Sequence, residues 1–438
     1  MLSAKEMAEI SNRASELTCA ARNAHKAWQA AQAGEKAPEN APILAKADSV
    51  AFYMTQEDTE NPEMEPIFFD QDFHQKKKHG KWREVPAPDT PKLAPITDTH
   101  AHIHMLPNPA LAIARAGGAS MKFLDLVTDI AEDGMVVFDN LEAWKMEASI
   151  IVRSLVPKCC GGCAPRMPKM RITAGVHPHN AKLFDDAMEQ KLRCVLARPE
   201  VGSLGEIGLD YHYDLSPRDV QRDVFAREIQ LAHETGLPAC LHIRDAHEDA
   251  LEILNREGFP EAGTLLHCCG LSAEELQPWI DAGCYIAYGG SLTFKDADAV
   301  REAAPNVPEN RLLTETDAPF MAPVPLRGVK ATPDMVLFVI DMLAELRGIA
   351  GELDRRAFHE AVVKNAMGLL DRDPTPWQVG HGAGDANAGD NSASDSKNKA
   401  ASNNGSASES DAGDNELAGA NCSADTSDPA NDKDITHE

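Results

Sequence analysis

Histidines and carboxylates recur in this sequence at the ends of short apolar runs, where metal chemistry would need them. The first such run, 96–102, closes with Asp98-Thr-His100-Ala-His102. On a strand alternate side chains share a face, so Asp98, His100 and His102 would point one way and two imidazoles could hold one ion. Four later runs each offer one ligand-type side chain: Glu206, His242, His267 and Asp317. A lone histidine on an apolar strand is more often a hydrogen-bonded core residue than a ligand. Buried carboxylates are different, because they are costly without a cation or a hydrogen-bonded partner. Asp98, Glu206 and Asp317 together with the four histidines therefore point to a metal centre.

The elements that would carry these groups are eight strand-like runs: 96–102, 148–155, 171–177, 202–210, 238–245, 263–269, 284–290 and 311–317. Amphipathic helical stretches lie between them. In 217–235, for example, Val220, Val224, Ile229 and Leu231 face one side and Gly236 ends the period. Alternation of this kind over residues 93–373 predicts an α/β fold, a (β/α)8 TIM barrel, whose strand C-termini gather the functional residues. The second strand is placed at 148–155, in competition with 134–138. The stretch 106–147 is long for one connection and is expected to insert an element over the barrel mouth.

The chain has 438 residues, of which 43% are hydrophobic and 25% charged, the balance of a globular protein with a core. It lacks an apolar run of about 18 residues, and a polar start argues against a signal peptide. Ten unevenly spaced cysteines do not suggest a disulfide scaffold. These features predict a cytoplasmic protein with no membrane partner. Net charge is -27, and residues 374–438 hold 12 Asp and Glu against three Lys. That acidity disfavours loose binding to long DNA, but it permits a site that holds phosphate through cations. Residues 374–438, rich in Gly, Ala, Asn, Ser and Asp, are expected to form a disordered acidic tail. Residues 1–92 form an extension, helical over 3–33 and then irregular. Within it Lys76, Lys77, Lys78, Lys81 and Arg83 surround Trp82; this cluster could grip a single strand or simply be a solvated linker.

The chain resembles the TatD-type metal-dependent deoxyribonucleases of the amidohydrolase superfamily. The resemblance is carried by DTHAH (98–102), GVHPHNA (175–181), GEIGLDY (205–211), SPRDVQRDVFAREIQLAHETGLP (216–238), HIRDA (242–246), LLHCCG (265–270), TETDAPFMAP (314–323) and NAMGLL (365–370), in the family's order. It implies two divalent cations, Mg²⁺ or Mn²⁺ with Zn²⁺ possible. His100, His102 and Asp317 would hold one, His242 and His267 the other, and Glu206 would bridge them. Such a pair can activate a water and steady the attacking and leaving oxygens of a phosphodiester. Asp317 could also accept the proton of that water. The implied activity is a 3′–5′ exonuclease acting on single-stranded DNA ends. The alternative is an amidohydrolase-type enzyme acting on a small ester or amide, favoured by the expected insertion and the acidic surface.

Two further residues are expected to bind substrate. His177 would contact phosphate, unless its His-Pro turn is only structural. Arg244 would neutralise a phosphate oxygen, unless it pairs with Asp98 or Asp245. His179, His212 and His247 are read as surface residues. Cys159, Cys160 and Cys163 form a CC-x-x-C cluster in a Gly/Pro-rich stretch, read as a loop rather than a structural metal site. Cys268 and Cys269 stand where the family shows a cysteine and then an aromatic, a change expected to widen the pocket of the second cation.

Overall fold

The computed structural model describes residues 2–16, 94–155 and 167–382, with four short strands between 43 and 85. The cysteine cluster at 159–163, the cations Lys77, Lys78 and Lys81, the helix expected beyond 16 and the tail beyond 382 lie outside the described residues. Phe73–Lys76 pairs antiparallel with Trp82–Val85. Cys194 is disulfide-bonded, whereas Cys240, Cys268, Cys269 and Cys284 are free thiols.

Eight parallel strands form the barrel: β1 (Ile96–Ala101), β2 (Met121–Asp129), β3 (Lys169–Gly175), β4 (Val201–Asp210), β5 (Ala239–Arg244), β6 (Thr264–Leu266), β7 (Tyr285–Tyr288) and β8 (Leu312–Thr314). Each lies beside the strand before it. The seam between β8 and β1 is closed largely by hydroxyls. Thr99 donates to the Thr314 carbonyl at 3.1 Å and Thr314 donates back to the Thr97 carbonyl at 2.8 Å. Just above, the Asp317 amide donates to the His100 carbonyl at 2.9 Å, and the His102 amide to that of Ala318 at 2.7 Å. The fold is the expected (β/α)8 barrel.

The second strand is a correction. Residues 148–155 belong to a helix, Val136–Leu155, which also contains most of 134–138. Ile151 and Val152 are β-branched and apolar, but with Ala148 they bury one helical face. The true β2 was hidden by its polar residues. Asp125 points into the barrel and accepts from the Thr173 hydroxyl, and burial raises its pKa to about 7 against that bond. A charged residue inside a strand breaks the alternation that marks a half-exposed strand. The expected insertion at 106–147 disappears for the same reason. That stretch contains the helix Pro109–Gly118, β2 and the start of Val136–Leu155, all ordinary barrel parts.

Two details position the site. Gly175 and Gly205 let β3, β4 and β5 come close: a Cβ on Gly205 would lie 2.6 Å from the Cβ of Cys240, and one on Gly175 2.8 Å from the carbonyl carbon of Gly205. The helix Arg218–Thr235, as read from the sequence, ends at Gly236 with φ 67°. Its buried Gln221 accepts from the Asp210 amide at 2.8 Å and donates to the Ser216 carbonyl at 2.7 Å. Its buried Glu228 accepts from the Val176 amide at 3.0 Å.

At the opposite end of the barrel the chain stays ordered beyond 373. Pro376–His381 form a capped helix, and Gln378 donates to the carbonyls of Leu196, Arg198 and Val201 at 2.9, 3.0 and 3.1 Å. The tail expected from 374 therefore starts with a packed turn of barrel structure. Near the N-terminus, residues 4–16 form a helix that buries Ile10 and Ala14. Its Arg13 meets Glu147 of the barrel at 3.3 Å.

Candidate metal centre at the mouth of the barrel

Five side chains converge on the Glu206 carboxylate, and the six groups come from five strand ends or adjoining loops. His100 Nε2 is 3.3 Å from Glu206 Oε1 and His102 Nε2 is 3.2 Å from Oε2. The same two imidazole nitrogens lie 3.9 and 3.6 Å from Asp317 Oδ1. On the other side, His242 Nδ1 and His267 Nε2 lie 3.4 and 3.1 Å from Glu206 Oε1. All six side chains are largely buried. His100, His102, Glu206, His242, His267 and Asp317, named from the sequence, are thus brought together.

The donor set fits divalent cations. His100 Nε2 faces His102 Nε2 at 3.3 Å, and His242 Nδ1 faces His267 Nε2 at 3.2 Å. Nitrogen is turned to nitrogen twice around one carboxylate, an arrangement that a shared cation satisfies. The outer nitrogens agree. His242 Nε2 lies 3.1 Å from Asp210 Oδ2 and His267 Nδ1 3.3 Å from Glu315 Oε1. The Asp210 hydrogen bond fixes the His242 tautomer that presents the Nδ1 lone pair to the centre, and the Glu315 carboxylate stands behind His267 as a nearby negative charge. His100 Nδ1 instead faces the Cys240 thiol, 3.6 Å away.

Charge is concentrated here. Burial raises the pKa of Glu206, but the neighbouring His100 and His267 outweigh it and hold the carboxyl well below its ordinary range. Burial opposes protonation of His102, yet the hydrogen bond and charge of Glu206 push it up to about 9. His242 is raised against burial by Asp210 and Glu206, and His267 well raised by Glu315 and Glu206. Burial raises Asp317. A divalent cation would compete with the protons these imidazoles carry.

Asp98 stands apart from the cluster. It is fully buried at the seam, where it accepts from the amides of His100 and Thr316 at 3.1 and 3.0 Å and from the Thr316 hydroxyl at 2.6 Å. It braces β1 against the loop after β8 and leaves Arg244 without it as a partner. Asp245 does not pair with Arg244 either; it meets His212 at 3.2 Å. Arg244 is exposed at the end of β5 and lies over the Tyr213 ring, 4.7 Å from its centre.

His177 sits beside His242, ring centres 4.4 Å apart, and burial holds its pKa well below the ordinary value. Its Nδ1 accepts from the His179 amide at 3.2 Å, which leaves Nε2 as the N–H donor. His179 is a correction: it is no surface residue, since its Nε2 lies 2.9 Å from Asp210 Oδ2. His247 is likewise withdrawn from solvent, against Trp279, and burial lowers its pKa to about 4. His212 remains partly exposed.

Asp210 and Glu315 were missed as site residues. The signal was available: Asp210 shares the strand face of Glu206, and Glu315 that of Asp317. Of the two cysteines expected to widen the pocket of the second cation, neither thiol is among the groups around Glu206. Cys269 is buried in the apolar core, and the Cys268 thiol lies 3.8 Å from the Met321 sulfur.

Comparison with known proteins agrees with this geometry. Residues 97–370 match the family model described as "TatD related DNase". The chain is 39% identical over 178 residues to the uncharacterized metal-dependent hydrolase YabD of Bacillus subtilis, covering 41% of this chain and 70% of that one. It is 34% identical over 201 residues to a protein of Enterobacter lignolyticus named 3′-5′ ssDNA/RNA exonuclease TatD, covering 44% and 77%. In fold it is similar to the TatD homologue YJJV of Escherichia coli, with a TM-score of 0.52 at 24% identity over 63% of this chain and 98% of that one. The chain belongs to the TatD family of metal-dependent hydrolases.

Proposed function

We propose that the enzyme is a deoxyribonuclease that removes nucleotides from the 3′ end of single strands, using two cations held around Glu206. The observation that carries the reading is the division of this one carboxylate: Oε2 faces His102, while Oε1 faces His242 and His267. In this reading His100, His102 and Asp317 would hold one cation and His242 and His267 the other, with Glu206 available to both. Mg²⁺ or Mn²⁺ suits the mixed donors, and Zn²⁺ is compatible with them. When bound, such a pair supplies an acidified water and neutralises charge growing on the phosphodiester.

The chain's own residues do the rest. Asp317 accepts a proton from the attacking water. His177, with its tautomer set by the His179 amide, offers its Nε2–H to a phosphate oxygen. Arg244 offers an exposed guanidinium nearby. The catalytic unit is residues 93–373. The polarity of digestion follows the name of the Enterobacter relative. The small ester or amide hydrolase is weaker as an alternative, because residues 106–147 are ordinary barrel and supply no special lid.

The test is digestion of a 5′-labelled single-stranded DNA by the wild type and by His100→Ala, with and without EDTA. A ladder that shortens from the 3′ end only with metal and intact His100 is expected. No digestion by metal-loaded wild type would overturn the nuclease reading and return attention to small esters and amides.

A further inference from the structure

Two arginines at the barrel mouth lie on aromatic rings. Arg244, at the end of β5, stacks on Tyr213 in the loop after β4. Arg327, in the loop after β8, lies 3.8 Å from the centre of the Phe294 ring, in the loop after β7. The strand order places these pairs on separate sectors of one rim. Each arginine is exposed, and neither guanidinium makes an ion pair or hydrogen bond among the described residues. In a chain with a net charge of -27, two arginines left without a carboxylate partner beside the site call for an anionic ligand. Apolar side chains are exposed on the same rim. Met105, Leu183, Leu215 and Val324 are exposed on loops after β1, β3, β4 and β8.

We infer that the two pairs form a track for single-stranded nucleic acid across the mouth, with Phe294 and Arg327 as a binding subsite distinct from the one at Tyr213 and Arg244. The inference rests on the nuclease reading and assigns it a second anchoring point. A guanidinium laid flat on a ring keeps its N–H edge for phosphate oxygens. The rings and the exposed apolar side chains beside them suit the faces of unpaired bases, which every nucleotide presents. A duplex hides those faces and needs an extended basic surface, which a net charge of -27 disfavours. Only a few phosphates are gripped, so binding depends weakly on salt. Two contacts on a single strand give a slope of log affinity against log salt of about −1.4.

The test is fluorescence anisotropy of a cleavage-resistant, phosphorothioate-linked oligothymidylate with the full-length, Mn²⁺-loaded protein at several salt concentrations. The wild type should prefer the single strand to its duplex and show that shallow slope. Arg327→Gln, which keeps the side-chain stem over Phe294, should weaken binding about tenfold and flatten the slope by about 0.7. Phe294→Leu, which keeps the apolar packing, should weaken binding about tenfold and leave the slope unchanged. Melting temperature and metal content are measured for each variant to establish that the fold and the centre are retained. Wild-type binding by both variants, or equal binding of duplex, overturns the track while digestion of unmodified DNA still supports the nuclease. If the wild type neither binds nor digests DNA, both readings fall.

Discussion

The two halves of the metal centre are braced in different ways. His100 and His102 come from one strand end, two residues apart, and have the Asp317 carboxylate beside them. His242 and His267 come from neighbouring strands and have only Glu206 in common at the centre, but a buried carboxylate stands behind each, Asp210 and Glu315. Asp210 is itself fixed by the amides of His212 and Tyr213 at 2.9 and 2.8 Å. Behind His100, among the described residues, stands the Cys240 thiol. Beyond the shared Glu206, one half therefore places a carboxylate among its imidazoles, and the other places its carboxylates behind them. If each half holds a cation, as proposed, the two should differ in what controls their affinity: direct ligands in the first half, orientation and basicity of imidazoles in the second.

Removing the shared group should do the most damage. Glu206→Ala should lower turnover by about a thousandfold or more and reduce bound metal in elemental analysis, with the melting transition retained. Unchanged turnover would break the assignment of a common carboxylate. Next come the braces of the second half. Asp210→Asn and Glu315→Gln should each weaken one cation by about 10–100-fold, seen as a shift in one of two steps in a metal titration. Equal shifts in both steps would show that the halves are not separable.

Protons sharpen the same contrast. His102, raised to about 9, is protonated at neutral pH in the cation-free centre, so a cation must displace that proton. Affinity in the first half should rise by about tenfold per pH unit through neutrality and level off above pH 9. Calorimetry in buffers of different ionisation enthalpy would count the protons released, and a pH-independent affinity would refute the coupling. The smallest effect is expected at Cys240→Ala. A thiol is a weak hydrogen-bond partner, so the first cation should weaken only a few-fold; a loss as large as that from Asp210→Asn would erase the distinction between the halves.

Much of this arrangement was legible because it is local. The spacing of His100 and His102 puts two imidazoles on one face of a strand whatever surrounds it. The alternation of apolar runs with helical periods announced the barrel before any contact was known. The errors had local causes too. Asp125, pointing inward, disguised β2, and the β-branched residues around Ile151 imitated a strand on the buried face of a helix. His179 looked like a residue in an exposed turn because its partner, Asp210, lies on another strand.

The sequence by itself determined which side chains could ligate, and that they would stand at strand ends, since strand periodicity and the order of elements are properties of short segments. Only the tertiary structure decided that Asp98 braces the seam instead of joining the centre, that Asp210 sets the tautomer of His242 while Glu315 stands behind His267, and that the Arg327 guanidinium lies on Phe294. These outcomes depend on barrel closure, which brings the Asp317 amide to 2.9 Å from the His100 carbonyl across more than 200 residues of chain. Contacts of that range are set by how eight strands pack around one axis, and no window of sequence contains them.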